Sequence, residues 1–353
     1  MANFLDQCLF KQCYFKNDGR SLILYSTESK VYHWVGEGEA APAAAPQLRW
    51  HPLRREWVVY APHRQERTFL PPAEYCPLCP TKPGAFPTEI PVEDFEIAVF
   101  ENRFPSFHPQ APLAPELCVP AQPGRGVCEV VVYTPEHRGS LATLSLNQRA
   151  LLVRVWIDRY LELYSHDLIQ YVMPFENRGE EVGVTLHHPH GQIYAYPFLP
   201  PLIEAEVQAF QERPIFEELF ACLGPYLVAQ SSGFVAFVPP FARYPYEVWV
   251  VPERRMAGPW EFTDLEVSGF AAILGKIVAG YDKLFQRPFP YVMVLHAAPK
   301  GGERAYFFHV EFYPPLRAPR KLKFLAGTEL GAGVMVVDLL PEKTAPALRE
   351  VMG

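Results

Sequence analysis

The chain has 353 residues, 49% of them hydrophobic and 20% charged, with a formal net charge of −7. That length suits two domains or two fused halves of one, and the composition is ordinary for a soluble globular protein. The acidic balance argues against a nucleic-acid surface and no apolar run is long enough to span a bilayer. Asp6, Lys11, Lys16, Asp18 and Arg20 interrupt the stretch where a signal peptide would need an apolar core, so the expected compartment is the cytoplasm.

In chain order, residues 1–35 hold strand-like pieces, Leu22–Tyr25 and Val31–Trp34, and carry no recognisable chemistry. Residues 36–48, GEGEAAPAAAPQL, are small and rich in proline and alanine, and read as a linker that completes an extension over 1–48. The seven cysteines do not suggest a disulfide framework in a chain of this kind. Cys76-Pro-Leu-Cys79 is the one close pair. It reads either as two reduced thiols in a loop or as half of a structural zinc site, which needs two further ligands. His137, at the turn closing a strand over 129–135, and His188 are the candidates for those.

Beyond residue 128 the sequence repeats itself. Glu129-Val-Val-Val-Tyr-Thr-Pro135 resembles Glu247-Val-Trp-Val-Val-Pro252. Each run leads into a helix, about 144–164 and about 262–286, with apolar residues at three- and four-residue spacing: Leu151, Val155, Ile157, Leu161 and Phe270, Ile273, Ile277, Tyr281. A strand follows each helix, Tyr171–Met173 and Tyr291–Met293. A further strand then carries a histidine, His188-x-His190 in the first copy and His309-x-Glu311 in the second. Strand, helix, strand, strand, twice over, predicts an α+β fold of antiparallel sheets with helices packed on one face.

The five residues His188-Pro-His190-Gly-Gln192 are the most informative of all. On an extended strand, His188, His190 and Gln192 share a face. Gly191 would let a ligand approach the backbone closely. Two imidazoles and an amide side by side suit attack by a ring nitrogen on phosphorus, with the amide hydrogen-bonding the phosphoryl oxygens. A surface strand that merely bears histidines is the alternative. Glu206, His296, His309 and Glu311 offer imidazole and carboxylate ligands suited to zinc, iron or manganese, with no local signature to bind them together.

Taken together, these motifs resemble the galactose-1-phosphate uridylyltransferases of the histidine-triad-like superfamily. The resemblance runs over about residues 49–330. It rests on Arg49-Trp-His-Pro-Leu53, Glu56-Trp-Val-Val59, Pro62-His-Arg-Gln-Glu-Arg67, Cys76-x-x-Cys79, Val99-Phe-Glu-Asn-Arg-Phe-Pro105, Phe175-Glu-Asn-Arg-Gly179, His188-Pro-His-Gly-Gln-Ile193, Phe312-Tyr-Pro-Pro315 and Lys323-Phe324. It implies two fused histidine-triad-like halves: 49–212 with the nucleophile and a zinc site, and 213–353 with a second metal site and a sugar-contacting segment. It implies that His190 accepts the nucleotidyl group and that Gln192 holds a phosphoryl oxygen. It makes Cys76, Cys79, His137 and His188 ligands of zinc, and Glu206, His296, His309 and Glu311 ligands of a second metal, iron or zinc. Glu311 stands where the family usually has histidine. By the same resemblance Arg64 and Arg67 contact phosphate, Asn102 and Asn177 line the nucleotide pocket, Thr185 lies beside the phosphates, and Lys323 and Glu329 belong to the sugar side. The position before Glu329 is Thr328 where the family has an aromatic residue, and an ungapped count puts Met335 where it has a sugar-binding glutamine. The implied activity is exchange of a uridylyl group between UDP-glucose and galactose 1-phosphate, by a homodimer with no nucleic-acid or membrane partner. An ADP-sugar phosphorylase of the same superfamily, or a nucleotide-binding protein without catalysis, is the alternative.

Overall fold

The computed structural model describes residues 9–67 and 70–353, so the first eight residues of the extension lie outside it. β1 (Phe10–Phe15) and β2 (Ser21–Ser26) form a hairpin. Its turn places Gly19 at φ 83°, a conformation glycine adopts without penalty. β3 (Gln47–His51), β4 (Glu56–Tyr60), β5 (Ile97–Glu101), β6 (Ala121–Pro123) and β7 (Val127–Val132) precede α1 (Leu146–Tyr164). Then come β8 (Tyr171–Arg178), β9 (His190–Tyr196), α2 (Pro201–Glu212), α3 (Ile215–Phe220), β10 (Leu227–Ser231), β11 (Phe234–Phe237) and β12 (Val248–Pro252). α4 (Asp264–Leu284), β13 (Tyr291–His296) and β14 (His309–Tyr313) complete the second copy of the repeat, before α5 (Gly327–Ala332) and α6 (Pro341–Met352).

Val31–Trp34 forms no strand. Its only ladder contact is an isolated bridge from Trp34 to Val92, and the neighbouring Lys30 carbonyl is taken by the Gln12 side chain at 2.6 Å. Residues 36–46 have no regular structure, yet they are tied down: the Ala41 N–H donates to Asp18 (3.0 Å) and the Ala40 carbonyl accepts from Arg103 (3.3 Å).

Two compact units share the chain. The first holds residues 1–138, 154–174 and 185–204; the second holds 139–153, 175–184 and 205–353. In the first, β1, β2, β5, β7 and β9 pair in that order, all antiparallel. The α1 residues Val155, Trp156, Tyr160 and Leu163 are buried, the Trp156 ring meeting Tyr133 edge-on. Among them Arg159 makes a two-pronged bond to Glu129 of β7 (2.7 and 2.9 Å). That geometry offsets the cost of taking both charges out of water. A separate small sheet of β4, β3 and β6 leads into the short turn of helix over Pro62–Glu66 that carries Arg64.

In the second unit, residues 175–178 of β8 pair with β13, which continues through β14, β12 and β11 to β10, again antiparallel throughout. α4 starts at a capping box in which Thr263 and Glu266 satisfy each other's backbone N–H groups. It buries Phe270, Ile273, Ile277 and Tyr281, the residues whose spacing predicts this face. The fold is the expected α+β arrangement, and corresponding strands pair in the two copies: Val132 pairs with His190 in the first and Trp249 with Glu311 in the second.

Candidate active site and metal centres

β9 alternates. Gly191, Ile193 and Ala195 are buried against one side, while His190, Gln192 and Tyr194 turn to the other and stay half-buried. The strand begins only at His190. His188 sits in the bend before it, with Pro189 unable to donate to a ladder, so the three-residue face read from the sequence is a two-residue face plus a histidine turned elsewhere. Gly191 lies on the buried side and is not among the residues lining the cavity.

The cavity on the open side is lined by Arg64, Arg67, Asn102, Thr185, His190 and Gln192, with Leu78, Phe100 and Val130 as its apolar wall. Each polar group is held in a defined orientation. His190 Nδ1 lies 2.7 Å from the carbonyl oxygen of His188. A carbonyl only accepts, so Nδ1 carries the proton and Nε2 keeps its lone pair. Burial lowers the pKa of this ring, against the raising effect of that same backbone bond, and keeps it neutral. Asn102 accepts the Phe104 N–H at Oδ1 (2.8 Å) and therefore donates from Nδ2 to Gln192 Oε1 (3.2 Å). The Gln192 NH2 is thus left to serve as a donor. Arg64 is anchored through Nη1 to the Phe104 carbonyl (2.6 Å) and to the Tyr194 hydroxyl (3.4 Å). The chemistry available is a neutral ring nitrogen with a free lone pair, an amide donor two residues on, and two guanidinium groups. Glu89 and Arg103 also line this cavity, and sequence reasoning singled out neither.

Behind His190, Cys76, Cys79, His137 and His188 converge, with one ligand atom of each within 4.8 Å of the others. His188 donates from Nε2 to the Thr134 carbonyl (2.7 Å), which aims Nδ1 at Cys79 Sγ (3.5 Å) and Cys76 Sγ (3.8 Å). His137 Nδ1 is 3.5 Å from Cys79 Sγ. Zinc–sulfur and zinc–nitrogen bonds at tetrahedral angles put sulfur and nitrogen about 3.6 Å apart, so the four residues fit one zinc ion. The hydrogen bond with Cys79 holds the Cys76 thiol low and pushes that of Cys79 up: two such neighbours share a proton that a dication would displace.

In the second unit, Glu206, His296, His309 and Glu311 form an equivalent group, again within 4.8 Å. His309 Nδ1 donates to the Phe307 carbonyl (2.9 Å), and its Nε2 stands 3.3 Å from Glu311. His296 Nδ1 contacts Glu206 (3.1 Å), while its buried Nε2 has no hydrogen-bond partner, an orphaned donor or acceptor that a metal ion would satisfy. Burial opposes ionisation of Glu206, yet the neighbouring His296 pulls its pKa down to about 2. The donor set suits a borderline divalent ion such as zinc or iron.

The remaining sequence-derived residues lie in the second unit. Asn177 faces Val292 on β13. Lys323 pairs with Glu329 at 3.0 Å, and Thr328 also donates to Glu329 (3.1 Å).

With this geometry in view, comparison with known proteins is direct. A family model described as galactose-1-phosphate uridyl transferase, N-terminal domain, matches residues 38–200, and its C-terminal counterpart matches 224–352. A galactose-1-phosphate uridylyltransferase of Thermotoga maritima is 40% identical, covering 86% of this chain and 98% of its own. One from Streptomyces lividans is 34% identical, covering 95% and 96%. A solved uridylyltransferase structure superposes with a TM-score of 0.77 at 32% identity, covering 87% of this chain and 98% of the other. An ADP-glucose phosphorylase from Arabidopsis thaliana, solved with ADP-glucose bound, matches with a TM-score of 0.64 at 23% identity, a likeness of fold alone.

Proposed function

The chain belongs to the galactose-1-phosphate uridylyltransferase family, and from that premise we propose that it exchanges a uridylyl group between UDP-glucose and galactose 1-phosphate in two steps through His190. The observation that carries this reading is the orientation of His190: its proton is pinned on Nδ1 by a backbone carbonyl, leaving Nε2 unprotonated beside the Gln192 amide.

UDP-glucose enters with its uracil against Leu78, Phe100 and Val130 and its diphosphate toward Arg64, Arg67, Thr185 and Gln192. His190 Nε2 attacks the α-phosphorus in line. The bond from that phosphorus to the bridging oxygen breaks, and glucose 1-phosphate leaves with the electron pair. Galactose 1-phosphate then attacks the same phosphorus through a phosphate oxygen, and Nε2 leaves with its lone pair restored. The Nδ1 proton stays where it is throughout, and its bond to the His188 carbonyl strengthens as the ring gains positive character. Most of the rate gain comes from positioning and from donors facing the equatorial oxygens. Covalent catalysis contributes by letting one site serve both sugar phosphates in turn.

The metals act at a distance in this reading. Zinc held by Cys76, Cys79, His137 and His188 would fix the bend from which His190 projects. A second ion held by Glu206, His296, His309 and Glu311 would brace the corresponding strands of the other copy. Asn177, Lys323 and Glu329 are assigned to substrate by the family pattern, in a homodimer of two fused halves meeting near residue 212, working in the cytoplasm. No helix among the described residues is long and apolar enough to cross a membrane.

The direct test is intact-mass spectrometry after brief mixing with UDP-glucose and, separately, ADP-glucose. A gain of one uridylyl group on His190, discharged by galactose 1-phosphate, is the expected result. An adenylyl adduct alone would reassign the nucleotide, and no adduct with either would sink the two-step mechanism.

A further inference from the structure

The family match begins at residue 38, yet the hairpin that precedes it contacts residues that line the nucleotide cavity. Lys16 directly follows β1 and Arg20 directly precedes β2, their backbones bonded to each other across the turn (2.9 Å). Both side chains are buried, and both point at Glu89. Lys16 Nζ lies 2.5 Å and Arg20 Nη1 2.8 Å from the same oxygen, Glu89 Oε2. The Lys16 ammonium also sits over the ring of Phe100, 4.7 Å from its centroid, and Phe100 is part of the cavity wall. Arg20 Nη1 donates in addition to the carbonyl of Glu101 (3.2 Å), the residue before Asn102. Asp18 locks the Arg20 guanidinium from its other side through Nε (2.7 Å). The second oxygen of Glu89 faces Arg103 Nη1 at 4.0 Å, and Arg103 is held further by Glu39 (3.1 Å).

Four of the residues this network touches lie at the site. Glu89, Phe100, Asn102 and Arg103 line one cavity with His190 and Gln192. Asn102, whose peptide Arg20 grips, is the residue that orients the Gln192 amide. A buried cluster of two cations and two carboxylates (Lys16, Arg20, Asp18 and Glu89) is a costly way to hold a hairpin to a sheet edge, since apolar packing would do it more cheaply. What such a cluster offers is fixed direction: each guanidinium has two or more partners and cannot swing.

We infer that Lys16 and Arg20 are positioning residues of the nucleotide pocket: the N-terminal hairpin is a working part of the site, fixing Glu89 and the Glu101–Arg103 corner. Its influence falls on the nucleotide, because the network reaches the cavity through Glu89, Phe100, Asn102 and Arg103, and among the described residues it makes no hydrogen bond or ion pair to Arg64 or Arg67. The inference rests on the nucleotide-transfer reading above.

The test uses the full-length protein and two kinds of variant. Arg20→Lys keeps the charge and loses the fork; the pair Lys16→Met with Glu89→Gln removes one charge of each sign together. UDP is titrated by calorimetry, and kcat/KM is measured separately for UDP-glucose and for galactose 1-phosphate. The expected result is UDP affinity weakened about tenfold in both variants. kcat/KM for UDP-glucose should fall by the same factor, with kcat/KM for galactose 1-phosphate held within about twofold, because the uridylyl group is by then covalently attached. Unchanged UDP affinity in folded variants would overturn the inference. So would an equal fall in both kcat/KM values that tracks the loss of folded protein, which is what a purely structural hairpin would give. Wild-type protein that does not bind UDP would instead overturn the nucleotide-transfer reading itself.

Discussion

His190 and its neighbours show how much a single backbone carbonyl can decide. Without the bond to the His188 oxygen, either ring nitrogen could carry the proton, and molecules protonated on Nε2 would present no lone pair to phosphorus. Replacing His190 by alanine should lower exchange by about 10⁴-fold or more, as for other nucleophiles acting in a set. His190→Gly leaves a ring-sized space facing the cavity, and added imidazole should restore part of the activity, read as release of glucose 1-phosphate from UDP-glucose. A glycine variant that stays dead in imidazole while still binding UDP would mean that the ring does more than supply a lone pair. At this scale the sequence was informative where chemistry is local. The two-residue spacing of His190 and Gln192 is visible in the chain, and the alternation of β9 delivers it. The off-strand position of His188 was foreshadowed only by Pro189. The grip of Lys16 and Arg20 on Glu89 had no signature, because the partners lie 73 and 69 residues apart and charged residues in a hairpin ordinarily face water.

Elements explain why a bend, rather than a strand, precedes the proposed nucleophile. β7 and β9 pair as far as Val132 and His190, with one further backbone bond from the Tyr133 N–H to the Pro189 carbonyl (3.1 Å); just past it, His137, His188 and the 76–79 loop converge. Four ligands from three separate segments meet there, so a bound ion would join elements that hydrogen bonds alone leave only loosely tied. Cys76→Ser should therefore lower the metal content by about one equivalent per chain. It should also reduce the rate of uridylylation at His190, although Cys76 touches no substrate. Metal analysis together with adduct kinetics would check this, and full metal content with normal kinetics would count against the assignment. The repeat was legible at this scale because both copies keep their periodicity: apolar spacing on α1 and α4, then two strands. The lengths were slightly overread, since helix ends are set by caps such as the Thr263–Glu266 box rather than by the apolar pattern. Val31–Trp34 had strand composition, but among the described residues it pairs only through the single bridge from Trp34 to Val92, a circumstance that only the tertiary structure reveals.

For the molecule as a whole, the carboxylates set the response to acid. Burial works against ionisation of Asp18, Glu89, Glu96 and Glu162, but hydrogen bonds and nearby cations more than offset it and leave each below its ordinary pKa. A carboxyl with a lower pKa in the folded than in the unfolded state makes the native protein bind fewer protons. Its contribution is complete above the unfolded value, 3.8 for Asp18 and 4.5 for the glutamates, and is lost as the pH falls through the folded one. The contribution of these four is thus constant from pH 7 to 5, and thermal melting should fall steeply below about 4.5; Glu247, pushed up to about 7 by burial and by Glu311, acts the other way and costs stability as the pH rises from 5 to 7. Release of a bound metal would add to the loss on the acid side, because thiolates and imidazoles must be deprotonated to bind. The pair Lys16→Met with Glu89→Gln keeps every metal ligand and removes one buried acid-sensitive carboxylate. Its melting temperature should fall less between pH 5 and 3.5 than that of the wild type, whatever the metals do. Parallel curves for the two proteins would show that Glu89 titrates alike in the folded and unfolded chain, and that the ionic cluster around it contributes nothing to the acid response.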